Sequence, residues 1–211
     1  MGQRKEVDGV MEHRLMSDYD VYLFREGRHS TLYDKMGAHV MALDGAEGTH
    51  FAVWAPNARS VGVVGDFNGW NRGAAPLFLH EDGSGIWEGF VPGVGEGSLY
   101  KYFVSSNYGG YSAEKADPYA TMCEVPPRTA SVVHNLGGDW ADGSWSVKRI
   151  EENQLNSPIS IYECHLGSWR RVPEEEGRAL TYSEAAGYLP EYLDDMEYSH
   201  VEFLPLLEHP F

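Results

Sequence analysis

The turn Asp66-Phe67-Asn68-Gly69-Trp70 is where residue type and spacing point most directly to a chemistry. It places an indole after an amide and a glycine, beside the small, polar stretch Asn71 to Ala75. Such an aromatic face suits the flat, weakly apolar faces of sugar rings; the same indole could equally close the end of a β-sandwich, and the turn alone leaves both readings open. Lys101 shares a strand face with Leu99 and Phe103, so its ammonium either snorkels over apolar surface or meets a ligand hydroxyl. Trp54 and Trp87 alternate into strand cores and read as structural. The nine histidines and two cysteines show no metal-ligand spacing, so neither a metal nor another cofactor is expected. No glycine-rich phosphate loop occurs, and no Ser/His/Asp set stands out.

These residues need elements to hold them. Phe51, Val53 and Ala55 alternate with Ala52 and Trp54, the period of a strand buried on one face. Pro56-Asn57 breaks it, a β-branched run follows from Ser60 to Gly65, and Asn68-Gly69 carries a hairpin signal. Ile86 to Val91 and Leu99 to Val104 continue the series of short strands, which predicts an antiparallel, immunoglobulin-like β-sandwich. Before it, residues 1–18 read as a disordered polar leader, and Asp18 as the cap of a short helix stopped by Gly27.

The sandwich with its helical lead-in is expected over residues 19–140, and a Gly-, Asp- and Ser-rich linker over 141–157. Residues 158–211 change pattern. Pro158 to Tyr162 reads as a buried strand with Glu163 and His165 at its C-terminal end. Thr181 and Glu184 form a capping box for a helix with Ala185, Leu189, Tyr192, Leu193 and Met196 on its inner face and a kink at Pro190. Val201 to Leu207 reads as a second buried strand ending at Glu208-His209. Strand, helix and strand of this length form a βαβ unit.

The net charge of −16 argues against nucleic acid or an anionic membrane as partner. From Glu151 to Phe211 there are 13 acidic against 3 basic residues, which reads as a solvated surface or one lacking a compensating partner. No run of about 18 apolar residues exists, nor a signal-peptide core. Cys123 and Cys164 are too few for a disulfide scaffold and read as reduced thiols in a cytoplasmic protein.

Seven collinear motifs carry a family resemblance: Tyr22-Leu23-Phe24 with Glu26-Gly27 and His29; Gly37-Ala38-His39; Phe51 through Ala58; Val64 through Asn68; Lys115-Ala116-Asp117-Pro118-Tyr119-Ala120; Ile159 through Glu163 with His165 through Trp169; and Glu208-His209-Pro210-Phe211. Over residues 19 to 211 the chain resembles the N-terminal part of bacterial 1,4-alpha-glucan (glycogen) branching enzymes. The resemblance implies a carbohydrate-binding sandwich followed by the first βαβ unit of an alpha-amylase-superfamily (β/α)₈ barrel. It implies a retaining reaction that cleaves an α-1,4 link and transfers the glucan to a 6-hydroxyl, with two carboxyl groups about 5 Å apart. None of the motifs bearing those carboxylates is present, so no catalytic residue is assigned and the chain is expected to be inactive alone.

The resemblance places Trp70, Lys101 and one of Tyr108 or Tyr111 at the glycan-contacting positions of glycogen-binding sandwiches. It places Glu163, His165, Glu208 and His209 at the barrel mouth, shaping the active-site wall or bracing one another. The implied partners are α-1,4-glucan, as glycogen or amylose, and the remainder of a catalytic domain. A stand-alone glycogen-binding module and a truncated product without a role are the competing readings.

Overall fold

The computed structural model describes residues 5–137 and 142–206. The chain divides into two compact units, Met1–Gly138 and Asp139–Phe211. In chain order, the first unit comprises β1 (Glu6–Val7), β2 (Val10–Met11), α1 (Asp18–Arg25), β3 (Gly37–Leu43), β4 (Ala46–Trp54) and β5 (Ala58–Gly65). It continues with β6 (Phe78–Leu79), β7 (Ile86–Pro92), β8 (Leu99–Ser106), β9 (Ser112–Lys115), β10 (Met122–Cys123) and β11 (Ser131–Val132). One antiparallel sheet runs β1-β2-β7-β4-β3, with β6 also on β7. The other runs β10-β11-β8-β5, with β9 beside β11 along the same edge of β8.

The two sheets close one core. Phe51, Val53, Trp87 and Val91 from the first sheet meet Val61, Val63, Tyr100 and Tyr102 from the second. Phe51 and Tyr100 meet edge to face with ring centroids 5.0 Å apart. This packing makes the unit a β-sandwich.

The expectation of one-sided burial for β4 is overturned. Its outward residue Ala52 is also fully buried, in a second cluster with Met16, Val21, Met36 and Ile86. Alternation separates the two faces of a strand, but it does not say what covers each. Here α1 and the segment before it cover the outer face. Trp54, expected in the core, lies at the end of that outer face and is 53% exposed. It is nonetheless held: its Nε1 donates to the Ser84 carbonyl at 3.0 Å, and Phe24 meets its ring edge.

The leader expected to be disordered is ordered from residue 5 onward. β2 pairs with β7 through Met11 and Phe90, Val10 is fully buried and Met16 nearly so. The cap of α1 is Ser17 rather than Asp18. Its hydroxyl accepts from the Asp20 N–H, while the Asp20 carboxylate accepts from the Ser17 N–H at 2.8 Å. Ser17→Ala is expected to lower the thermal stability of the unit by about 1 kcal/mol, read from the melting curve.

The Asn68-Gly69 turn is not a hairpin. It is a 3₁₀ turn over Asp66–Asn68 that carries the chain from β5 in one sheet to β6 in the other.

The second unit contains α2 (Gly143–Glu152), β12 (Ile161–Cys164), α3 (Leu166–Trp169), β13 (Arg171–Val172), β14 (Arg178–Ala179), α4 (Tyr182–Asp195) and β15 (His200–Phe203). The segment read as a linker thus carries a ten-residue helix. The strand expected at 158–162 begins three residues later, and Ile161 is exposed rather than buried. β12 and β15 pair in parallel, with α4 between them in sequence. Cys164, Leu166, Ala185 and Leu189 form the core of the unit, flanked by Tyr162, Tyr192 and Leu193. The Thr181–Glu184 capping box is present. Pro190 lies within α4, leaving the Ala186 carbonyl without its usual donor. Met196, expected on the inner face, is the exposed C-cap.

Candidate functional site

The candidate glycan face is the outer surface of the sheet containing β5 and β8. Because Tyr100 and Tyr102 point into the core, Leu99, Lys101 and Phe103 point out. Trp70 follows the end of β5, and Asn68 fixes the backbone that carries it. The Asn68 side chain accepts from the Gly65 N–H at 3.0 Å and donates to the Val63 carbonyl at 2.9 Å. The Trp70 N–H then donates to the Gly65 carbonyl at 2.8 Å.

Gly69 and Trp70 are both left-handed, at φ 62° and 59°. For tryptophan that conformation costs roughly 1–2 kcal/mol, offset here by the Asn68 clamp. Phe67, not Trp70, turns inward to pack on the core, its ring 6.5 Å from that of Phe51. The indole of Trp70 stays outside the core and is 37% exposed.

Lys101 lies opposite Val64 across the strands, and its Nζ donates to the Thr129 hydroxyl at 2.7 Å. Two residues that the sequence did not single out, Arg72 and Glu114, join Phe103 in the middle of the face. The Arg72 guanidinium lies 5.3 Å from the centre of the Phe103 ring, and its Nε donates to Glu114 at 2.9 Å. The available signal was the alternation that puts Phe103 on the Lys101 face.

Tyr108 and Tyr111 sit in the loop between β8 and β9, exposed at 69% and 55%. Trp70 is anchored through Gly65, which pairs with Tyr100, and the hairpin loop begins beyond Ser106. Six strand residues span about 20 Å. The four predicted glycan residues therefore mark two ends of one strand and do not converge on a single point.

In the second unit, Glu163 is exposed on β12 and lies in register with Glu202 of β15. His165 follows β12 as the residue before α3, with its Nδ1 3.1 Å from the Ser168 hydroxyl. Glu208 and His209 lie outside the described residues.

Two buried polar clusters in the first unit carry much of its electrostatics. Asp117, from the Lys115–Ala120 motif, accepts from the Tyr100 hydroxyl at 2.6 Å, the Tyr102 hydroxyl at 3.2 Å and the Tyr119 N–H at 2.8 Å. Burial pushes its carboxyl above the usual range, against the pull of those donors. Gly37 packs against this motif: a Cβ there would stand 3.0 Å from that of Tyr119, and its φ of 97° favours glycine.

The second cluster lies under the N-terminal segment. Glu88 is fully buried and accepts from the Leu15 and Met16 N–H groups at 3.2 Å each, with His80 Nε2 at 2.6 Å. His50 Nε2 lies 3.7 Å from the same carboxylate and 3.2 Å from the His13 carbonyl. Burial lowers the His50 ring from 6.5 to about 4, although Glu88 and the His13 carbonyl favour its charged form.

Residues 35–120 match the family Carbohydrate-binding module 48 (Isoamylase N-terminal domain). The chain is 55% identical to the 1,4-alpha-glucan branching enzyme GlgB of Aquifex aeolicus over 197 residues, covering 93% of this chain and 31% of that protein. It is 50% identical to the GlgB of Paramagnetospirillum magneticum over 198 residues, 93% of this chain and 27% of that one. The chain thus spans between a quarter and a third of the length of these curated relatives.

Among solved structures, a product complex of the multi-modular glycogen-degrading pneumococcal virulence factor SpuA superposes with a TM-score of 0.62 at 22% identity. That superposition covers 84% of this chain and 20% of the other. A GBS pullulanase, SAP, in complex with maltotetraose gives 0.53 at 20% identity, over 83% of this chain and 24% of the other. At these identities the likeness is one of fold. No helix among the described residues is long and apolar enough to cross a membrane, and both cysteines are free thiols.

Proposed function

We propose that this chain, homologous over nine-tenths of its length to the 1,4-alpha-glucan branching enzymes, is the N-terminal, glucan-holding portion of such an enzyme. One observation carries the reading. The alignment of 197 residues is longer than the sandwich unit, which ends at Gly138, so the likeness runs into the second unit. A stand-alone sugar-binding sandwich would account only for the first.

In this reading β12, α4 and β15 are the opening βαβ unit of a (β/α)₈ barrel. Glu163, His165, Glu208 and His209 lie at its mouth and shape the active-site wall. The reaction cleaves an α-1,4 link and rebuilds the glucan on a 6-hydroxyl as an α-1,6 branch. Its nucleophile and acid/base carboxylates belong to the remaining length of the catalytic domain, so residues 1–211 hold glucan without branching it. Free thiols accord with a cytoplasmic enzyme.

On the sandwich, Trp70 supplies a face for pyranose C–H groups and Lys101 a donor for hydroxyls. Tyr108 or Tyr111 extends contact to the far end of the face, which favours a linear segment of several glucosyl units. The chain is expected to be retarded by glycogen in affinity electrophoresis, and Trp70→Ala to weaken that interaction several-fold, as loss of about 1 kcal/mol implies. An unretarded wild-type chain would remove the glucan-holding role. Iodine staining of amylose is expected to stay unchanged on incubation with this chain; an α-1,6 product would place the catalytic carboxylates within it.

A further inference from the structure

We infer that the cleft between the Leu32–Asp34 turn, β3 and the segments around Tyr119 and Asn135 is a second α-glucan subsite, built from residues other than those of the Trp70 face. Its volume is about 410 Å³, within the range of small-molecule sites. Tyr33 and Tyr119 line it from separate segments over an apolar floor that includes Met36 and Val40. Tyr33 is 63% exposed and stands outside the core clusters. Tyr119 is half-buried and packs against the cluster of Met16, Val21 and Met36, so Tyr33 offers the open phenol face for sugar C–H groups.

The polar groups around them are Asp34, His39, Thr121, His134 and Asn135, with the His134 Nδ1 3.0 Å from Glu96. A carboxylate accepts, an amide both donates and accepts, and a hydroxyl does either; this is the mixture that vicinal sugar hydroxyls need. No lysine or arginine is among the described residues lining the cleft, and the chain carries −16 overall, so the chemistry is that of an uncharged ligand rather than a phosphate or carboxylate.

The walls are held from beneath. The Tyr119 N–H donates to buried Asp117, His39 Nε2 lies 3.0 Å from the Met36 carbonyl, and the Thr121 hydroxyl donates to the His134 carbonyl at 2.9 Å. A cleft fixed in this way loses little freedom on binding. The choice of α-glucan as the ligand rests on the reading proposed above; the existence of the subsite rests on the cleft itself.

The test is an NMR titration of the ¹⁵N-labelled 211-residue chain with maltoheptaose, repeated with Tyr33→Ala, Tyr33→Trp and Trp70→Ala. Because Tyr33 is exposed, its variants are expected to fold, and dispersed spectra check this. The Thr121 and Asn135 amides are expected to shift on titration. Tyr33→Ala should weaken that response about fivefold, Tyr33→Trp should retain it, and Trp70→Ala should leave it unchanged. If the Trp70 indole shifts while Thr121 and Asn135 do not, the subsite is overturned and the Trp70 reading stands. If only Thr121 and Asn135 shift, and Tyr33→Ala abolishes the change, the subsite stands and the Trp70 reading falls. If neither region responds, both fall.

Discussion

Asp117→Ala is expected to lower the unfolding free energy of the sandwich unit by about 2–4 kcal/mol, a substantial fraction of the roughly 5–15 kcal/mol that a marginally stable domain possesses. The carboxylate is the shared acceptor for two tyrosines at the centre of the core and for the Tyr119 N–H. Truncation leaves the buried Tyr100 hydroxyl without its acceptor, whereas Tyr102 retains the Ala52 carbonyl at 3.1 Å. Each unsatisfied buried polar group costs roughly 1–3 kcal/mol.

Tyr100→Phe removes one donor and leaves the carboxylate its other two, so it should cost distinctly less. Urea midpoints of the two variants make the comparison. Equal losses would show that the carboxylate is not the hub of this network. Because Asp117 also fixes the Tyr119 wall, Asp117→Ala should blunt any response of the neighbouring cleft.

Stability should also fall by about 3 kcal/mol as pH drops from 6.5 to 4, through His50. Its ring titrates near 4 in the folded protein against 6.5 when exposed, so the fold holds it neutral. The unfolded chain takes up the proton first. The contribution is therefore complete above pH 6.5 and is lost as pH falls toward 4. A difference of this size corresponds to about 1.4 kcal/mol per pH unit of separation.

The groups facing His50 are Glu88 on β7 and the His13 and His39 rings; Glu88 favours the charged imidazole, while the two histidines oppose it. Nδ1 of His50 is buried with no hydrogen-bond partner, which leaves the added proton unsolvated. Asp20 acts in a separate window. Burial would raise its carboxyl, but the Ser17 hydroxyl and N–H and His29 hold it near 2, so its contribution is lost only below 3.8. Denaturation curves between pH 7 and 4 for wild type and His50→Gln would separate these effects. A wild-type slope that persists unchanged in His50→Gln would exclude His50 as its source.

The same residues show how far sequence reasoning reached. Alternation along Leu99–Phe103 put Lys101 on one face with Leu99 and Phe103, because strand geometry needs only neighbours in the chain; that this face points outward was set by the packing of Tyr100 and Tyr102. The Thr181–Glu184 box was legible for the same reason: its partners are three residues apart. The Ser17–Asp20 box is equally local, but Ser17 stands beside Asp18, itself a favoured cap residue, and the folded backbone decides between them. The seven motifs were recognisable as a pattern, but their physical role was not. Gly37, Ala52 and Asp117 belong to three different motifs and meet only at the Tyr102 hydroxyl, where the sheets close, 15 to 65 residues from it in sequence.

What the amino-acid order determined by itself was the longer strands of the sandwich, the cap of α4, a change of pattern between two parts and the likeness to branching enzymes. These depend on contacts within a few residues or on the pattern read as a whole. Tertiary structure alone decided that β4 is buried on both faces and that Asn68 clamps a turn instead of closing a hairpin. It also decided that the predicted sugar-contacting residues mark the two ends of a strand. Each of these is set by what packs against an element from elsewhere in the chain, and local periodicity carries no information about that neighbour.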